Sequence, residues 1–140
     1  LIEMLLVLAL VSLVAGLGLP ITIDAYRNNN LRSEQDLLVG LLQKARSQSM
    51  HNINQKAHGV YVAQSPVRYL LFQGDSYASR DSAEDISFPA NPHYELSGLH
   101  EVVFSQLSGT STVVGDIFFS NGVRSSFAIG INSEGQINPR

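Results

Sequence analysis

The sequence predicts an α+β protein in which a long N-terminal hydrophobic helix packs on an antiparallel β-sheet domain. Three features carry that prediction. Between Leu1 and Ile23, 17 of 23 residues are apolar and Glu3 is the only ionisable side chain. Leu38, Leu41, Leu42 and Ala45 then fall at the i, i+3, i+4, i+7 spacing of one helix face. Beyond about Asn54, short runs of β-branched and aromatic residues alternate with Gly, Pro, Asn and Ser, the punctuation of strands and turns. A helix followed by about five to seven antiparallel strands is an α+β plan.

At 140 residues the chain suits one domain with a proper core. Charged residues make up 15%, against a norm of roughly 25%. The deficit is concentrated at the N-terminus, so the chain divides into an apolar segment, residues 1–27, and a globular part, residues 28–140. A net charge of −3 supplies no global basic field for nucleic acid. The absence of cysteine excludes disulfides and Cys-based zinc or redox sites. No internal repeat or low-complexity tract is present.

Met4 to Ile23 contains no charge over 20 residues, about 30 Å of helix at 1.5 Å per residue, and reads as a transmembrane helix. No positive charge precedes the run, which speaks against a cleaved secretory signal. Glu3 sits at its edge, where a lone carboxylate costs a few kcal/mol if drawn into hydrocarbon, so a partner is expected. Gly16, Gly18 and Pro20 crowd the last third and should loosen the helix, at about 1 kcal/mol per glycine and about 3 per proline. The amphipathic stretch that follows extends the helix to about Asn52, with Ser33 and Asp36 in a box-like capping pattern.

Residues 59–63 and 67–72 read as a hairpin across Gln64-Ser65-Pro66. Asp75 to Asp85 is polar and reads as a loop. Ile86-Ser87-Phe88 is a short strand that Pro89 and Pro92 break. Residues 101–107 and 115–120 are further strands, Asn121-Gly122 is a tight-turn signal, and 126–131 alternate as a half-buried strand does. A turn at Ser133-Glu134-Gly135 leads into a last short strand around Ile137.

No enzyme chemistry converges. His51, His58, His93 and His100 have no spacing that supplies a metal triad, and no nucleophile-elbow, phosphate or dinucleotide loop is present. No cofactor is expected. Asp75, Asp81, Glu84 and Asp85 are the candidate cation loop, since calcium takes several oxygens from a short segment. Their spacing fits no EF-hand, and a solvated acidic loop is the competing reading.

Leu1-Ile2-Glu3 followed by Met4-Leu5-Leu6-Val7-Leu8 resembles the type IV pilin signature, with Pro20 matching the proline in that family's helix. The sequence begins two residues into the motif, which places the mature N-terminus upstream. The C-terminal half resembles, more loosely, the globular domain of GspH/FimT-like pilins and pseudopilins. The resemblance implies the lollipop shape of pilins and a subunit held in the inner membrane before assembly. It further implies that a prepilin peptidase processes and methylates the chain, and that an assembly platform polymerises it into a helical surface filament, the type IV pilus or fimbrium. It also implies that Glu3 pairs with the N-terminal amine of a neighbouring subunit. Some DNA-uptake members carry basic residues near the C-terminus. Only Arg124 and Arg140 are available here, so nucleic-acid binding is not expected. The alternatives are a minor pilin or type II secretion pseudopilin that primes or caps assembly, and a monomeric membrane-anchored binding domain.

Overall fold

The computed structural model describes residues 1–120 and 126–140, with the side chains of residues 17–29 outside that description. Helix α1 is Ile2–Met50, and a 3-10 turn follows at Ile53–Gln55. The strands are β1 (His58–Gln64), β2 (Val67–Gln73), β3 (Ile86–Pro89), β4 (Glu95–Gly98), β5 (Glu101–Phe104), β6 (Gly115–Ser120), β7 (Ser126–Ile131) and β8 (Ile137–Pro139). By contacts the chain divides into two compact units, Leu1–Arg32 and Ser33–Arg140.

In the second unit the strands form two antiparallel sheets, ordered β3-β2-β1-β5 and β4-β6-β7-β8. The expected β1–β2 hairpin forms with Gln64 opposite Val67 across a cis Ser65–Pro66 peptide. Alternation then decides which side chains meet. His58, Val60 and Val62 point to one face of the first sheet with Tyr69, Leu71, Val102 and Phe104, and all seven are buried. In the second sheet Leu96, Ile117, Phe119, Ile129 and Ile131 are buried. The α1 residues Leu38, Leu41, Leu42 and Ala45, picked out by their spacing, are buried as well. Polar bonds tie α1 to both sheets. Ser49 Oγ donates to the Phe104 carbonyl of β5 at 2.9 Å, and Gln35 Nε2 donates to that of Ala128 in β7 at 3.3 Å.

The predicted fold needs correction on two points. The expected long apolar helix is not found among the described residues, where no helix is long and apolar enough to cross a membrane. The apolar stretch described in α1 covers residues 2–16, about 22 Å at 1.5 Å per residue, against roughly 30 Å of hydrocarbon. From Ser33 to Met50 the helix is amphipathic, with a polar side that would be costly in lipid. The second point is the sheet. The strands make two four-stranded sheets, and the shortest of the chain's three crossings between them, from β4 to β5, runs through Gly98, Leu99 and His100. Gly98 has φ +88, and a Cβ there would lie 2.2 Å from the Asp116 carbonyl oxygen, so only glycine makes this crossing without strain.

Strand β4 was missed in the sequence because Glu95-Leu96-Ser97-Gly98 offers one apolar residue in four. The strand read over 101–107 stops at Phe104, where residues 105–110 fold into a turn closed by bonds from Ser105 N to the Thr110 carbonyl and from Gly109 N to that of Ser105. Ser33 starts no new helix, since α1 already runs through it. Asn121-Gly122 and Arg124, and the side chains of Gly18 and Pro20, lie outside the description.

The four sheet edges differ. Strands β3 and β8 each end on a proline, Pro89 and Pro139. The outer side of β5 is met by Thr112, whose N–H donates to the Val103 carbonyl at 3.1 Å. At β4 the Leu96 carbonyl accepts from Gln64 Nε2 at 3.3 Å.

Candidate assembly surface

The first turns of α1 expose apolar side chains on every side. Leu5, Leu6, Val7 and Leu8 are consecutive, and at 100° per residue four consecutive positions go round the whole helix. All four are more than half exposed, as are Met4, Leu10, Val11, Leu13 and Val14. A helix that is hydrophobic all round belongs in surroundings that enclose it, whereas one docked along a single face shows a stripe. Ser12 does not break the pattern, because its hydroxyl donates to the Leu8 carbonyl at 2.8 Å and leaves little polarity facing outward. Glu3 is exposed in the first helical turn, where the helix dipole favours a negative charge. Gly16 has open space where a Cβ would be, so a side chain is tolerated there within the described surroundings.

The acidic loop is organised differently from a cation site. Asp85 Oδ2 accepts from Arg80 Nε at 2.8 Å, and that bond raises the guanidinium above its ordinary pKa. Asp81 Oδ1 accepts from Ala83 N–H at 3.2 Å and caps the 3-10 turn Ser82–Glu84. Asp75 and Glu84 are exposed. No group of three or more His, Asp or Glu that could hold a metal ion occurs among the described residues.

What the sequence reading missed is Tyr77 inside this loop. Its ring stacks on Tyr61 with centroids 3.7 Å apart and planes within 9°, and it meets the edge of Phe72 at 5.8 Å. The Arg80 guanidinium covers it at 3.7 Å from the centroid, and the Tyr77 backbone N–H donates to Glu101 Oε1 at 2.7 Å. The loop is therefore the cover for the outer face of the first sheet, where Ala57, Phe72 and Val103 form a small second core. Phe72 needs a bare neighbour to lie flat. A Cβ on Gly59, directly opposite in β1, would come within 2.7 Å of the Phe72 ring. The signal was a lone tyrosine in an otherwise polar stretch, opposite a strand that is apolar on both faces.

The histidines stay apart in role. His51 Nδ1 lies 2.7 Å from the Ser47 carbonyl, His93 and His100 are exposed, and His58 is buried. Burial lowers the His58 pKa, with the Lys56 carbonyl pulling weakly the other way. A groove of about 560 Å³ runs along Gln43, Arg46, Met50, His51 and Asn138. Its guanidinium is already committed, as Arg46 donates to the carbonyls of Gly109 and Glu134 at 3.1 Å each.

No protein-family model matches the chain, and comparison with curated proteins and with solved structures likewise gives no match. The functional reading therefore rests on the residues themselves.

Proposed function

We propose that this chain is a structural subunit that polymerises into a type IV pilus-like surface filament through the first turns of α1. The supporting observation is the apolar girth of residues 4–14, more than half exposed on every side of the helix, a surface suited to enclosure by other molecules. Enclosing each Leu or Val side chain contributes about 1.5–3 kcal/mol relative to water, and less relative to lipid. Copies joined head to tail by a non-closing rotation give an open helical polymer, which surrounds one such helix per subunit. Glu3 then enters a dry bundle, where an unpaired carboxylate costs several kcal/mol, so its pairing with a neighbour's N-terminal amine checks register. The resemblance of Leu1-Ile2-Glu3 and the residues after it to the pilin signature points the same way.

Electron cryo-microscopy of filaments sheared from native cells tests the reading. The expected result is this chain in every repeat, with residues 4–14 in the filament core and Glu3 beside a neighbouring N-terminus. Filaments built from another subunit move this chain to a priming or capping role. A protein that stays monomeric at the membrane overturns the assembly reading. Glu3→Leu is expected to leave the globular unit folded and cut filament yield at least about tenfold, the effect of about 1.4 kcal/mol. Abundant normal filaments from that variant would remove the pairing role.

A further inference from the structure

A small cavity of about 80 Å³ lies beside the last turns of α1, lined by Gln48, Asn54, His58, Gln73, Glu84 and neighbouring apolar side chains. Two of its lining residues present polar atoms that are sealed from solvent and have no protein partner: Gln48 Oε1 and His58 Nδ1. His58 is 4% exposed. Gln73 Oε1 is already engaged, accepting from Asn54 Nδ2 at 3.0 Å. Two orphaned polar atoms in one polar cavity, large enough for more than one water, meet the conditions for internal hydration. We propose that this cavity is a proton-linked hydration site, in which water joins Gln48 Oε1 to the neutral His58 ring and protonation of His58 loosens the adjoining α1–sheet joint.

The joint is Ser49, the residue after Gln48, fully buried. Its Oγ accepts from the His58 backbone N–H at 2.8 Å and donates to the Phe104 carbonyl at 2.9 Å, so one hydroxyl ties α1 to β1 and β5. Its own carbonyl accepts from Leu107 N–H at 2.9 Å. The surroundings offer an imidazolium little support. From α1 the cavity receives the uncharged Gln48, from the 3-10 turn Ile53 and Asn54, and from β2 Leu71, Phe72 and Gln73. On β5 the residue paired with His58 is Phe104. Glu84 is the one ionisable neighbour lining the cavity, and it is otherwise exposed to solvent. Lys56, two residues before His58, carries its ammonium at the surface, and its carbonyl favours the protonated ring against the larger effect of burial. The buried ring therefore resists charging, and the folded state binds a proton less readily than the unfolded chain. That difference makes the joint stable above the ordinary histidine range, near pH 6.5, and progressively weaker as pH falls below it towards the lowered folded value.

The test uses the full chain in neutral detergent micelles, labelled for imidazole NMR, with amide hydrogen exchange followed at His58 and Leu107, the amides through which Ser49 holds β1 and the segment after β5. In the wild type His58 is expected to titrate below the ordinary histidine range, and exchange at both amides should speed up as that titration proceeds. Gln48→Glu places a carboxylate across the same cavity. It should raise the His58 midpoint by about one unit or more and remove the acid-induced exchange between pH 6.5 and the wild-type midpoint. A His58 that titrates in the ordinary histidine range, exchange that ignores its titration, or a midpoint unmoved by Gln48→Glu would each overturn the proposal. Should Gln48→Glu fail to fold, the wild-type titration and exchange still decide it.

Discussion

Single side chains carry more of the second unit's organisation than their chemistry suggests. Ser49 is a small polar residue with no signature in the sequence, yet it serves two buried backbone groups at once. Ser49→Ala leaves the His58 N–H and the Phe104 carbonyl unpaired, and is expected to lower unfolding free energy by about 1–3 kcal/mol, read from chemical denaturation. Tyr69 shows the same economy. Its buried hydroxyl donates to Glu34 Oε1 at 2.9 Å, and the same carboxylate oxygen accepts from Asn91 N–H at 3.2 Å. Burial first, and then the Glu34 charge, push the phenol well above its ordinary range. The folded state holds that proton while the unfolded chain releases it, so stability should fall as pH rises above about 10. Tyr69→Phe should flatten this alkaline limb of a thermal-melt profile, and an unchanged limb would assign it to other groups. Neither residue was legible in advance. Hydrophobic spacing located the helix face of Leu38, Leu41, Leu42 and Ala45, but a polar side chain becomes structural only through a partner distant in the chain, 55 residues away for Ser49 and Phe104.

Among the elements, the segment from Asp75 to Asp85 gives the clearest contrast between pattern and packing. Its composition reads as a solvated acidic loop, and its acids are indeed mostly at the surface. Its structural role comes from Tyr77 and Arg80, which cover Phe72 and Tyr61. The clue was in β2, where burial from Tyr69 through Gln73 is continuous instead of alternating. A strand buried on both faces needs a second layer, and no other segment was assigned to provide it. Tyr77→Ala should expose the Phe72 edge and free the loop, so limited proteolysis is expected to cut within residues 75–85 several-fold faster than in the wild type. Equal cleavage rates would mean that the loop's polar bonds, Arg80 to Asp85 and the residue-77 N–H to Glu101, hold it without the ring stack. The hairpin of β1 and β2 was legible because its turn residues and its alternation agree. Strand β4 was not, because three of its four residues carry no apolar signal.

For the whole molecule, the two units follow different rules. Residues 33–140 bury their apolar side chains within themselves in the ordinary way. The described N-terminal turns leave theirs outside, so the isolated chain is unfinished in a sense that the globular unit is not. Replacing Leu5 and Leu8 together with Ser should raise the fraction of chain recovered without detergent and abolish polymerisation. Continued polymerisation would place the contact in the globular unit. This division was legible from composition alone, since apolar residues crowd the first 23 positions.

Under the proposed assembly, the treatment of the sheet edges has a consequence for how copies would pack. Packed side by side at the density of a polymer, two sheets per copy present four rims at which backbone from another copy could add a rung. Prolines at Pro89 and Pro139 withhold a donor, while Thr112 and Gln64 occupy acceptors on β5 and β4. In such an assembly, copies would touch through side chains without fusing into continuous β-structure, and growth would be left to the helices.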